Sequence, residues 1–395
     1  TLLVLDGVGA WRGGPGRRPG EFLLLGRPLH LLTLLGWSAV AWLFFELINF
    51  RLRNWYYVFL PDRAPARWAG TLLSFATVFP AVFLAESVLA SFGVGEQART
   101  RPLRVTPGLL RGLRAAGALM LVLPLLWPRI FFPLVWGALA LLLEPSVWRR
   151  DPSRSLLGDL ARGRPGRPIR LLVGGAGVGF LWELYNIRAR SKWIYTVPGL
   201  EEVKLFEMPV LGFLGFPPFA LECFAIWQAL VLAGLAVPRV GPVVPAPAVR
   251  RIGAGVAAAA FAALVLRGME RHTIDSYVPR LAGLVPAPAA AALERASFDA
   301  FTLARAPAGA VAAAAGADPA AARRWIERAR LATLRGIGAA NAARLEAVGI
   351  RSVEELARAE PERLAARLEA AGRDVVEARV RVWVRAARRA AGAAS

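Results

Sequence analysis

The chain has 395 residues, 56% of them apolar and 19% charged, with a mean hydropathy of +0.45, which excludes an ordinary set of soluble domains and points to a membrane. Its 49 Lys and Arg against 28 Asp and Glu leave a formal charge of +21, nearly all of it on arginine. A single cysteine, Cys223, excludes a disulfide scaffold.

Residues 1–28 form an N-terminal arm carrying Arg12, Arg17, Arg18 and Arg27 among glycines and prolines, without the ordered regions of a signal peptide. Seven apolar blocks follow, at 29–50, 68–92, 109–127, 129–147, 168–187, 209–237 and 251–267. Each approaches the roughly 20 residues that carry a helix across a hydrocarbon core. The third and fourth are short and hold Pro124, Pro128, Arg129 and Pro133, which suits a tight hairpin or a re-entrant pair. The arm and the even-numbered connections carry 19 Lys and Arg, the odd-numbered ones nine. Cation-rich loops stay on the cytoplasmic side, so the N-terminus is expected there, in a bacterial cytoplasmic membrane, and seven spans put the C-terminal region opposite.

The chain also repeats itself at an offset of about 137 residues. Glu46-Leu47-x-Asn49-x-Arg51-x-Arg53 recurs as Glu183-Leu184-x-Asn186-x-Arg188-x-Arg190. Trp55 and Tyr57 then match Trp193 and Tyr195, Pro61 matches Pro198, Phe79-Pro80 matches Phe216-Pro217, and Glu86 matches Glu222. Residues 29–150 and 151–267 are therefore read as two membrane repeats of one orientation, related about an axis along the membrane normal.

The repeated residues are those a lipid-facing helix avoids. Glu46 with Asn49, and Glu183 with Asn186, stand three apart and share a helix face. Arg51 and Arg188 lie near the interface and can reach back to a carboxylate, and Glu86 and Glu222 sit inside apolar runs. Ionisable groups at this depth cost about 2.5 kcal/mol or more and face the interior, so these eight residues are expected to form a polar intramembrane cluster, functional or simply structural. Trp55, Tyr57, Trp193 and Tyr195 suit an interfacial aromatic belt. Gly175-x-x-x-Gly179 reads as close helix packing. No Cys/His cluster has metal-ligand spacing, and a haem would need His30 and His272, at the two ends of the membrane region, to meet across the bundle. No metal or cofactor is expected, although a bound lipid would suit such a protein.

After a linker at 268–278 the composition turns to Ala, Arg and Glu in helical periodicity. The run Leu334-Arg335-Gly336-Ile337-Gly338-Ala339, with Ala342, Arg344, Leu345, Gly349 and Ile350 behind it, resembles a helix-hairpin-helix module, and Ser352-Val-Glu-Glu355 reads as a capping box. The resemblance extends over 279–390, with a degenerate copy at 279–330 and an intact one at 331–390. It implies that Gly336, Gly338 and Ala339 could hold a phosphate or a partner on the hairpin backbone, with Arg335 and Arg344 nearby. Arg379 to Arg389, with Trp383 among them, form a basic stripe that would suit an anionic membrane surface.

The fold expected is thus all-α: a duplicated membrane helix bundle of about seven spans with a small soluble helical domain. The function favoured is a non-enzymatic accessory or scaffolding subunit of a membrane complex, docking through the C-terminal domain, with membrane lipids and other subunits as partners. Three alternatives stand beside it. One is an enzyme acting on a lipid or isoprenoid, with Glu46, Glu86, Glu183 and Glu222 as acid/base groups, on a loose similarity of their spacing to carotenoid cyclases and hydratases. The others are a transporter with a polar site between repeats and a membrane-tethered protein that binds DNA, the nucleic acid being the less favoured partner.

Overall fold

A computed structural model describes residues 2–13, 26–197, 203–239, 241, 243–372 and 376–392. Arg17, Arg18 and Pro198 of the sequence analysis lie outside them. The described chain is almost wholly helical and divides into two compact units. Unit 1 takes residues 1–54, 68–188 and 197–271, and unit 2 takes 55–67, 189–196 and 272–395.

Unit 1 opens with a helix the sequence analysis did not expect, α1 (Leu2–Arg12), whose Leu2 and Leu5 pack on Leu84. Helix α2 (Pro28–Leu52) is followed by α3 (Ala64–Ala76) and α4 (Val78–Ser91), which together make one broken span. The break has a cause. Pro80 has no N–H to give, and its ring crowds the carbonyl of Ala76 one turn back. The buried hydroxyl of Ser38 on α2 takes up the groups set free: it donates to the Phe75 carbonyl at 2.7 Å and accepts from the Phe79 N–H at 3.0 Å. Where no water reaches, a freed backbone pair needs such a substitute.

Helix α5 (Pro107–Leu126) is followed by α6 (Pro128–Phe131), a 3-10 turn and α7 (Ala138–Arg150). The run Pro128–Arg150 is long and apolar enough to cross a membrane, as is α5, so each has the length of a full pass. After the short α8 (Leu156–Ala161) come α9 (Gly166–Arg188), α10 (Phe216–Leu232) and α11 (Ala248–His272). Trp42, Phe45, Trp136 and Phe219 stack at centroid distances of 5.5 to 6.2 Å in the core of this unit.

Six segments qualify as spans by length and composition: Pro28–Leu52, Ala64–Ser91, Pro107–Leu126, Pro128–Arg150, Val210–Leu232 and Ala248–His272. Helix α9 is less apolar, carrying Arg167, Arg170, Glu183 and Arg188, yet its 23 residues reach about 34 Å and it packs along α4 and α10. It is not among the six, and strand pairing bears on it. In unit 2, β1 (Trp55–Val58) pairs antiparallel with β2 (Lys192–Tyr195), so both lie on one side of the membrane and an even number of passes separates them. If the segments 64–91, 107–126 and 128–150 each cross, α9 makes the fourth pass.

The register pairs Trp55 with Tyr195 and Tyr57 with Trp193, about a centre at Tyr56 and Ile194. With Trp55 equivalent to Trp193 and Tyr57 to Tyr195, this is the reciprocal pairing that a two-fold axis produces. The break before α10 repeats the one before α4, at Phe216 in place of Phe79. In the place of Ser38 stands Gly175, whose missing side chain lets α9 come so close that a Cβ would lie 2.7 Å from the Phe216 carbonyl oxygen.

Unit 2 continues the ribbon with chain the sequence analysis had taken as a linker. Residues 268–272 finish α11, and 273–278 run parallel to β1, with Tyr57 donating to the Thr273 carbonyl at 2.7 Å and Asp275 donating to that of Tyr57 at 2.9 Å. Then come α12 (Ala287–Arg295), α13 (Ala300–Leu303), α14 (Ala308–Ala315) and α15 (Pro319–Thr333). The same succession follows in α16 (Gly338–Ala347), α17 (Val353–Arg358), α18 (Pro361–Ala370) and α19 (Glu377–Gly392). Ser352 caps α17 by accepting from the Glu355 N–H, but Glu355 reaches back to the N–H of Arg351 rather than to that of Ser352; the reciprocal box is at Asp299 and Thr302. Helix α19 divides the terminal stripe: Arg388 and Arg389 are exposed and Arg381 and Arg385 half-buried, whereas Trp383, expected among them, is buried with Val380, Val384 and Ala387 in the core of this unit.

Arg162 and Arg190, before and after α9, are both exposed, and the single native thiol, Cys223, is buried. Single cysteines at these two positions are expected to react with a membrane-impermeant maleimide from opposite faces of sealed vesicles. Labelling of both from one face would remove α9 from the crossings.

Candidate functional site

Consecutive membrane helices run antiparallel, and this separates the residues expected to cluster. Glu46 lies in the last turns of α2 and Glu86 in the last turns of α4, hence toward opposite ends of the bundle. Glu183 and Asn186 sit late in α9, as Glu46 and Asn49 sit late in α2, while Glu222 is midway along α10. Glu86 is thereby separated from Glu46, Asn49, Glu183 and Asn186.

Each has its own setting. Glu46 is fully buried and accepts from the Trp42 indole at 3.2 Å. Asn49 is equally buried, and its side-chain oxygen accepts from the Asn54 N–H at 2.9 Å, holding the chain as it leaves α2 through Arg53 in the left-handed region. Arg51 points outward and donates to the Leu125 carbonyl at 2.9 Å. Glu183 and Asn186 are buried in the matching turn of α9, with Arg188 exposed beyond them. Glu222 accepts from the Leu139 N–H at 2.7 Å, capping the first turn of α7, where a carboxylate also meets the positive end of the helix dipole. Its counterpart Glu86 instead meets the Arg170 guanidinium at 2.7 Å.

Glu86 alone of the four glutamates lines a cavity of about 490 Å³ formed by the ends of α2, α4, α9 and α10. The arginines that line it, Arg154, Arg164, Arg167, Arg170 and Arg239, carry no signal of this convergence in the sequence, where they belong to two separate counts of cations along the connections. Nor does the sequence signal Glu144, buried and taking hydrogen bonds from Ser155 at 2.5 Å and the Leu157 N–H at 3.2 Å. A carboxylate ten residues or so from its partners leaves no periodic signal.

In unit 2 the four aromatics are parts of the ribbon. Trp55 and Tyr57 are buried, Trp193 and Tyr195 are half-buried, and the Trp193 indole donates to the Tyr195 hydroxyl at 2.9 Å. The glycine hairpin is the best defined of the predicted sites. Gly336 and Gly338 adopt φ of +85° and +75°, a region side chains resist, and both are buried. A Cβ on Gly336 would lie 2.6 Å from that of Val58 on β1, and one on Gly338 would lie 2.6 Å from that of Ser276. Ser276 donates its hydroxyl to the Gly336 carbonyl at 2.5 Å. The hairpin is therefore filled by the protein's own ribbon.

Its neighbours belong to one buried network. Arg344 donates to Asn341 at 2.9 Å, Asn341 to the Asp275 carboxylate at 3.3 Å, and Arg379 to the same carboxylate at 2.8 Å. Burial pushes the Asp275 carboxyl up, and the Arg379 and Arg344 guanidinium groups oppose it. Ala339 and Arg335 are half-buried. Among the described residues no group of three His, Cys, Asp or Glu could hold a metal ion.

A family model described as a domain of unknown function, DUF4332, matches residues 299–390, from the cap of α13 into α19. A search of curated proteins and a search of solved structures each return no match.

Gly336→Ala is expected to destabilise the protein by at least about 1–2 kcal/mol from the left-handed backbone alone, with the clash against Val58 added. Val58→Gly, which removes the Cβ that would be struck, should relieve the clash but not the backbone cost, so thermal melts of the two single variants and the double would show a favourable coupling. Additive effects would mean that hairpin and ribbon do not bear on each other.

Proposed function

We propose that this chain is a non-enzymatic subunit of a membrane complex, held in a bacterial cytoplasmic membrane with its N-terminus cytoplasmic, and docking through a C-terminal domain of tandem helix-hairpin-helix type. The observation that carries the reading is the employment of the intramembrane carboxylates. Glu222 caps α7, Glu46 holds the Trp42 indole, and Glu86 is ion-paired to Arg170. An acid or base working on an olefin needs an open space beside it, and Glu46, Glu183 and Glu222 do not line the cavity described above. Helix register and helix ends are what such groups secure in this bundle.

The hairpin supports docking on protein over docking on nucleic acid. A phosphate reaching the N–H groups of Gly338 and Ala339 would have to displace Ser276 and Val58. The surrounding arginines are engaged as well: Arg328 clamps Glu346 with two hydrogen bonds of 2.6 Å, and Arg330 pairs with Glu327 and Glu354. The orientation rests on the excess of cations in the arm and the even-numbered connections.

Purification of the tagged full chain from native membranes in mild detergent, with cross-linking before lysis, is expected to yield a heteromeric complex of fixed stoichiometry. Glu46→Gln, Glu183→Gln and Glu222→Gln should lower its melting temperature without changing its composition. A monodisperse monomer that converts an added isoprenoid or lipid, and loses turnover in Glu222→Gln, would refute the proposal.

A further inference from the structure

We propose that the cavity at the ends of α2, α4, α9 and α10 binds a phosphate-bearing anion, with room for the first carbons of a chain attached to it. The inference rests on unit 1 alone and does not depend on the subunit reading. Five arginines line the cavity against three carboxylates, Glu86, Glu96 and Asp159. Glu86 is held by Arg170 at 2.7 Å, and Asp159 is gripped by Arg167 through hydrogen bonds of 2.6 and 2.9 Å. Arg164 is exposed at the rim and has no side-chain partner among the described residues. Guanidinium groups gathered around one cavity repel each other, and their planar forks match phosphate oxygens two at a time.

Part of the lining is apolar. Leu34, Phe83, Phe224 and Trp227 line the same space, and the Arg167 guanidinium lies 5.0 Å over the Phe224 ring, so the cationic and apolar surfaces share a seam. An ion alone would use only the first surface; a phosphate on an aliphatic stem uses both. The volume of about 490 Å³ suits such an occupant, since small-molecule sites run from about 300 to 1,000 Å³. A third observation is independent of charge. The side-chain oxygen of Gln228 is buried in the lining with no hydrogen-bond partner among the described residues. Few buried acceptors are left so. A hydroxyl on the ligand, such as that of a glycerol headgroup, would supply the missing donor, or the amide can turn and offer its NH₂ to a phosphate oxygen.

Lipid headgroups and soluble phosphates share this chemistry, and thermal unfolding separates them. The full chain in detergent is titrated at fixed ionic strength with phosphatidylglycerol, with phosphatidylcholine and with inorganic phosphate, because a ligand that binds only the folded state raises the midpoint as its concentration rises. A saturable rise is expected with phosphatidylglycerol and none with phosphatidylcholine. Affinity should fall about ten-fold in Arg164→Gln and in Arg239→Gln, the scale of one charge-assisted hydrogen bond. Arg99→Gln, an exposed cation outside the cavity, should keep the affinity of the unaltered protein. Saturation by inorganic phosphate would also support the site and would identify a soluble anion as a ligand; a response to phosphatidylglycerol alone would identify a headgroup. Equal responses to the two lipids, or undiminished affinity in both Arg164→Gln and Arg239→Gln, would overturn the proposal.

Discussion

The antiparallel pairing of β1 with β2 joins equivalent points of the two membrane repeats, and the number of membrane passes follows from it. Two segments hydrogen-bonded to each other cannot lie on opposite sides of a bilayer, so if the three apolar segments between them each cross, α9 crosses as well, despite its arginines and its glutamate. The reciprocal register, with each Trp opposite the other copy's Tyr, gives the ribbon a local two-fold axis. That ribbon then serves unit 2 twice. Residues 273–278 add to its β1 edge, and the glycine hairpin closes on Val58. Loops that would otherwise be short connections between membrane helices thereby become part of the folded core of the C-terminal unit.

Inside unit 1 a second constraint operates, the need to satisfy every backbone group where water is absent. Pro80 breaks a span and Ser38 repairs it; α7 begins midway along its span and Glu222 caps it; α2 ends in a left-handed turn and Asn49 secures it. Seen this way, Ser38, Asn49 and Glu222 serve backbone groups that breaks and ends in the helices leave open. The duplication has diverged on these terms. Gly175 stands for Ser38 and achieves contact by closeness, and Glu86 has exchanged a helix end for an arginine.

Much of this was legible in the sequence, and the failures have identifiable causes. Hydrophobic blocks gave the spans, because length and composition are nearly all that a bilayer reads. Gly336 and Gly338 announced a tight turn, because few residues tolerate the conformation it needs. Glu46 and Glu86 were grouped because both stand late in an apolar run, although successive runs alternate direction and so place late residues at opposite ends. The segment 273–278 reads as a linker because its pattern is neither periodic nor strongly apolar; its two bridges to the chain at Tyr57 and Leu60 come from the β1 edge it meets. Trp383 lay in a run of arginines and was assigned to a surface, yet a helix displays two faces, and the four-residue spacing of Val380, Val384 and near-neighbour Trp383 gives the buried one.

The arginines show most plainly what a one-dimensional reading leaves out. For orientation it is enough that cations be numerous in the right loops, and their positions relative to each other are free. Here they are not free. Arg167 is fixed by Asp159 and by the Ser153 carbonyl, Arg170 by Glu86 and the Val94 carbonyl, and Arg154 by Asp151. Three connections distant in sequence bring Glu96, Arg164 and Arg239 to the rim of one cavity. Insertion does not require that convergence, nor does it require the acids that hold the guanidinium planes in place. A set of charges needed only for topology would be expected to spread apart in water, where mutual repulsion is least. Their assembly around an amphipathic hollow is the arrangement that a bound anion would stabilise.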